Sequence, residues 1–254
     1  MDDSPNFNER NKLKPITSLN QLVSTYLVSK AVVHIRAERE AELNNRVLEL
    51  KPKLDSTNER YIDLFNRFSK IIDYKEGLML IAKRCMDDMI KYEFKNDPSI
   101  TISAHSDTAH LRSAFNTSYS QFEKINLEDH TLRVFENGIL DAESQGGRAI
   151  KVAIPLLGCL LHDFGKSSKL RAELVENATG DSFKVHATVS KIYVDEILLS
   201  AFLKSENTLE MVSLIVENHH PSNNKMKNDA SIKFIINADH KSRKQELKII
   251  KQGV

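Results

Sequence analysis

The amino-acid sequence predicts an all-α protein, and three observations carry that reading. Eight glycines and six prolines in 254 residues are about half the ~12% that soluble domains use. So few turn residues disfavour many-stranded sandwiches, barrels and glycine-loop nucleotide folds. Apolar side chains recur at spacings of three and four along several long segments, the period of a helix with one buried face. A hydrophobic share of 41% beside 28% charged residues is that of an ordinary globular chain, long enough to bury a sizeable core.

Each element follows in order. Residues 1–15 are polar, contain Pro5 and Pro15 and show no period, so they read as a loose tail. Residues 16–125 form an N-terminal helical region. Its first helix follows Leu19, Leu22, Val23, Tyr26 and Leu27. A charged, helix-favouring stretch from Arg36 to Leu50 is closed by Pro52. Ser56-Thr57-Asn58-Glu59 has the form of a capping box. It opens a helical region running towards Phe94, with a break expected near Gly77 and with Met79, Met86 and Met89 as core packing. Between Asn96 and Thr108 the residues turn polar, which marks a boundary or long loop with room for a short strand at Ser99–Ile102. A helix with Leu111, Phe115, Tyr119 and Phe122 on one stripe follows. Residues 126–254 read as successive helices, roughly Leu127–Ser144, Arg148–His162, Ser182–Leu203, Thr208–Asn218 and Asp229–Lys251. Ser182, Thr208 and Asp229 are the expected N-caps, and Pro155 kinks its helix or marks the first turn.

The charge balance excludes some functions. With 36 basic and 35 acidic residues, no global field favours nucleic acid or an anionic membrane. The longest apolar run, Val152 to Leu161, is ten residues against the ~20 of a membrane span. The start, Met1-Asp2-Asp3-Ser4-Pro5-Asn6, is too acidic and polar for a secretory signal. Cys85 and Cys159 make neither a disulfide framework nor a zinc signature, which suits a reducing compartment. A cytoplasmic protein with no membrane partner is the expectation.

The chemistry sits in the second half. His162-Asp163 ends the apolar run Leu156-Leu157-Gly158-Cys159-Leu160-Leu161 and precedes Phe164-Gly165-Lys166. A carboxylate at such a place needs a partner, and a divalent cation would serve. His130 lies 32 residues upstream and His186 23 residues beyond Asp163, while His219-His220 closes a further apolar segment. Asp239 follows Ile232, Ile235 and Ile236 at i, i+3, i+4 and i+7, which places it on a buried helical face.

This ordered set, His130, His162-Asp163, His186, His219-His220 and Asp239, resembles the HD-domain metal-dependent phosphohydrolase superfamily over about residues 127–245. The form His-Asp-Phe-Gly-Lys is similar to the His-Asp-Ile-Gly-Lys of the cyclic-dinucleotide phosphodiesterase branch. That branch's Gly-Tyr-Pro is missing here, since Pro221-Ser222-Asn223-Asn224 follows His220. Some relaxase proteins of conjugative elements also carry such a module. The resemblance implies an HD-type helical bundle for residues 126–254, holding one or two divalent ions. His130, His162, Asp163 and Asp239 would hold one ion, His186 with His219 or His220 the second, and Asp163 would bridge. Mixed imidazole and carboxylate ligands suit Mn, Fe, Co or Mg better than a thiolate-type zinc site. Such a pair acidifies a water for attack on phosphorus and neutralises phosphoryl charge.

Plainer readings stand beside these. His130 also fits a helix-surface histidine, His162-Asp163 a hydrogen-bonded helix end, His186 a solvated side chain, and Asp239 a partner of Arg133 or Lys241. Arg133 and Lys166 are candidates to contact substrate phosphate, with ion-paired or solvated roles as the alternative. The basic cluster Lys241, Arg243, Lys244, Lys248 and Lys251 reads as a solvated face. The function expected is hydrolysis of a phosphoester or phosphoanhydride of a nucleotide. The alternatives are a nuclease or DNA-transfer accessory on single strands, which would want a basic groove with aromatic stacking, and a non-catalytic signalling or scaffold module. Residues 16–95 carry none of the candidate ligands and are expected to mediate homodimerisation or partner docking.

Overall fold

The computed structural model describes residues 59–100, 119–146, 150–175, 185–202, 206–220 and 229–252. All of them belong to one compact unit, residues 47–254. The expected tail, the helices before Pro52, the capping box at Ser56-Thr57-Asn58, the Leu111 and Phe115 positions and the Ser182 cap lie outside the described residues.

The first described helix, α1 (Glu59–Ile71), buries Tyr61, Leu64, Phe65, Phe68 and Ile71 on one stripe. A tight turn leads into α2 (Glu76–Lys91). Asp73 and Tyr74 take it with φ of 52° and 54°, and the Tyr74 N–H donates to the Ser69 carbonyl at 2.8 Å. The break therefore precedes Gly77, which lies in the first turn of α2. Left-handed backbone without glycine is strained and leaves no mark in a composition reading. Helix α2 buries Leu78, Met79, Ile81, Ala82, Cys85, Met86 and Met89, so the methionines are core residues.

Among the described residues there is no strand. The alternation at Ser99–Ile100 yields a single antiparallel bridge, Pro98 to Asn126, closed by Ser99 N–H to Ile125 O and Leu127 N–H to Asp97 O, both 2.8 Å. Asn126 then caps α3 (Leu127–Ser144), its side chain accepting from the Asp129 N–H at 2.7 Å. Next come α4 (Ile150–Leu161), with Pro155 in its interior, and α5 (Ser168–Val175), a helix the sequence pattern did not announce. Helix α6 (His186–Ile192) runs through a π-helical stretch, Tyr193–Leu198, to Leu199–Ala201. Helix α7 (Glu206–Glu217) starts before Thr208, which therefore lies inside it. Helix α8 (Ala230–Gln252) is capped as expected, with Asp229 Oδ1 accepting from Ser231 and Ile232 N–H at 2.8 and 3.1 Å.

Helix α3 packs against α1, α4 and α8, while α4 also packs against α7 and α8. This central place explains why α4 is almost wholly apolar. Gly158 permits the approach, because a Cβ there would lie 2.5 Å from Ile235 Cδ1 and 2.9 Å from Ile215 Cδ1. Helix α1 docks on α3 through the rings of Phe68 and Phe135, 5.6 Å apart. Around them Arg60 pairs with Asp129 and Glu136, and Arg67 with Glu143. The phenylalanines carry most of this contact, at about 1.5–3 kcal/mol for each fully buried side chain; the half-exposed pairs add little. Among the described residues no helix is long and apolar enough to cross a membrane.

Candidate metal centre

The site is built around the loop that follows α4. The His162 ring is fixed by Nδ1, which donates to the Cys159 carbonyl at 3.0 Å. That leaves Nε2 as a lone-pair donor. Asp163 follows, and Phe164–Lys166 form one short 3₁₀ turn. Gly165 allows the N-terminus of α6 to press on this turn, since a Cβ there would sit 2.0 Å from the His186 carbonyl oxygen. Ser190 clamps the two together: its Oγ accepts from Gly165 N–H at 2.7 Å and donates to the His162 carbonyl at 3.1 Å. Behind the loop, Phe164 packs between the rings of Phe94 and Tyr193, each 4.9 Å away. His186 is delivered to Asp163 by this packing.

Asp163, 1% exposed, stands at the centre. Its Oδ2 lies 3.2 Å from His130 Nε2 and 3.3 Å from His162 Nε2, and its Oδ1 lies 3.2 Å from His186 Nε2. On one side, the donor atoms of His130, His162 and Asp239 lie within 4.8 Å of one another. On the other, those of His186, His219 and His220 do the same. Nε2 of His162 in the first group and Nε2 of His219 in the second are buried without a hydrogen-bond partner. Unmatched polar atoms are expensive inside a protein, and here each group holds one. This donor set fits one or two divalent cations.

The protonation states agree with that fit. Burial, His162 and His186 push His219 down to about 3, and burial with His219 and His186 holds His220 well below its ordinary value. Both are neutral at physiological pH. Burial works against the Asp163 carboxylate, but His162, Lys166 and His130 outweigh it and hold it well below the usual range. Burial likewise opposes ionisation of Asp239, which His130 and Arg243 keep ionised. For His130, burial and Arg243 disfavour the charged form, yet Glu246, Asp163 and Asp239 together raise it to about 9. In the metal-free protein it holds the proton that a cation would displace.

Residues 127–251 match the family model of the HD domain. This span is an HD domain. No curated protein and no solved structure matches it. HD domains bind divalent metals, and most members of the superfamily are metal-dependent hydrolases.

The seven side chains expected as ligands, His130, His162, Asp163, His186, His219, His220 and Asp239, lie together in this HD domain. Lys166, 8% exposed, donates to Asp163 Oδ2 at 2.6 Å and to the Ser99 carbonyl at 3.1 Å. Arg133 donates to Glu246 Oε1 at 3.1 Å. Asp239 faces His130 at 3.3 Å and Arg243 at 3.7 Å, whereas Lys241 pairs with Asp141. One expectation is corrected: the C-terminal basic cluster is not a uniformly solvated face. Lys241 is exposed, but Arg243 and Glu246 are 1% and 0% exposed. Glu246, Arg243 and Ser242 escaped the sequence reading, although a signal was present. They follow Asp239 at i+7, i+4 and i+3 and so continue the buried face that Ile232 begins.

Proposed function

We propose that the HD domain hydrolyses a phosphoester or phosphoanhydride bond of a nucleotide, as a metal-dependent phosphohydrolase of phosphodiesterase or phosphatase type. One observation carries the reading: Asp163 reaches His130 and His162 with one oxygen and His186 with the other. A single carboxylate thus joins both donor groups. In this reading His130, His162, Asp163 and Asp239 hold one divalent ion, and His186, His219 and His220 hold the second. When bound, such a pair acidifies water and neutralises charge on phosphoryl oxygens.

The protein's own groups prepare that chemistry. Lys166 secures Oδ2 of Asp163 and so fixes the shared carboxylate. Gly165 and Ser190 hold His186 against it. Arg133 lies one turn beyond His130 with its side chain 16% exposed; we assign it to the phosphate of the substrate. A net charge of +1 supports a small nucleotide over a long polyanion, which would draw on many basic contacts.

The test is a nucleotide panel, including cyclic dinucleotides and single-stranded oligonucleotides, offered to protein stripped by chelation and reloaded with Mn, Fe, Co or Mg. Metal-dependent turnover of a nucleotide is the expected result. Cleavage confined to oligonucleotides would move the assignment to a nuclease, and tight metal binding without any turnover would make the domain a scaffold.

A further inference from the structure

Behind His130 lies a cluster of charged side chains that the metal ligands do not use. Glu246, on α8, is 0% exposed. Its Oε1 lies 2.8 Å from His130 Nδ1 and accepts from Ser242 Oγ–H at 2.9 Å and from Arg133 at 3.1 Å. Its Oε2 accepts from Arg243 NH1 at 2.9 Å. Arg243 also donates to the hydroxyl and the carbonyl of Ser99, at 2.9 and 3.1 Å. Ser99 precedes the span that matches the family, so the N-terminal region contributes to this cluster.

We propose that Glu246 is a positioning residue of the metal centre. An imidazole with one nitrogen against a carboxylate keeps its proton there and presents the other nitrogen as a lone pair. Glu246 therefore turns Nε2 of His130 towards Asp163 and Asp239. It also engages Arg243, whose Nε lies 3.7 Å from Asp239 Oδ1, and so restrains a cation that competes for that ligand. Packing alone does not account for the cluster, because apolar side chains of similar size usually stabilise an interior at least as well as a buried ion pair. The inference rests on the metal-site reading above.

The experiment measures Mn(II) affinity by equilibrium dialysis of the full chain, with thermal unfolding of the metal-free protein alongside. Wild type, His130→Ala, Glu246→Gln and the double variant Arg243→Met/Glu246→Leu are compared. The double variant removes both buried charges, so it remains informative where Glu246→Gln does not fold. Lys241→Ala, an exposed change on the same helix, serves as control and retains wild-type affinity. Glu246→Gln is expected to weaken the ion that His130→Ala removes by about 10–100-fold and to unfold at a lower temperature than wild type, because Arg243 and Arg133 lose a buried carboxylate partner. The double variant regains stability but not affinity. Wild-type affinity in either folded variant overturns the proposal. Absence of Mn(II) binding in the wild type instead defeats the metal-site reading itself.

Discussion

The two donor groups that meet at Asp163 are made of different chemistry. His130, His162 and Asp239 mix imidazole with carboxylate and stand against a second carboxylate, Glu246, with Arg243 and Arg133 bound to it. His186, His219 and His220 are all imidazole. Their support is backbone and ring contact: His219 Nδ1 donates to the Val216 carbonyl, and the His219 and His220 rings lie 4.0 Å apart. Coulomb attraction for a dication is stronger where a carboxylate faces it in a poorly solvated site. The mixed group should therefore fill first, while the imidazole group depends on Asp163 for negative charge. Charge is shared through one residue.

The largest effect is expected at that residue. Asp163→Ala removes the ligand common to both groups, so metal content falls towards zero and hydrolysis to background, with circular dichroism nearly unchanged. Retention of one ion at wild-type affinity would show that the two groups act independently. Replacing His219 and His220 together by alanine should halve a two-ion stoichiometry and leave the ion at His130 in place. Loss of both ions would mean that the imidazole group fills first.

Gly165→Ala tests the geometry rather than the charge. Its Cβ would fall 2.0 Å from the His186 carbonyl, an overlap that costs about 3 kcal/mol, or roughly 6–12 °C in unfolding temperature. The displaced His186 should weaken the imidazole group before the mixed one. An alanine variant as stable as wild type would contradict the close approach.

The smallest effect lies in pH. A cation must displace the proton that His130 holds up to about pH 9. Mn(II) affinity at the mixed group should therefore rise with pH, by about tenfold per unit for one released proton, and flatten near 9. His219, pushed down to about 3, releases no proton in that window, so the imidazole group gains nothing from it. Titration of affinity in the wild type and in His219→Ala/His220→Ala separates the two slopes.

Much of this was legible in the sequence. Histidine or aspartate at the end of an apolar run has few bland uses, which is why His162, Asp163, His219 and Asp239 stood out. The bounds of α3, Leu127–Ser144, followed from the helical period. Three features were hidden. The turn at Asp73 and Tyr74 adopts left-handed backbone without glycine. Helix α5 spans only eight residues, too few for a helical period to show, and buries Leu170. Glu246 and Arg243 sit amid lysines, where charge is normally solvated, and this masked their place on the buried face that Ile232 and Asp239 share.

The proposed metal centre depends on one carboxylate, Asp163, shared by two donor groups. Metal analysis of the purified full chain, run beside Asp163→Ala, tests it most directly. Up to two divalent ions per chain are expected in the wild type and essentially none in the variant. Equal metal content in the two proteins would contradict it.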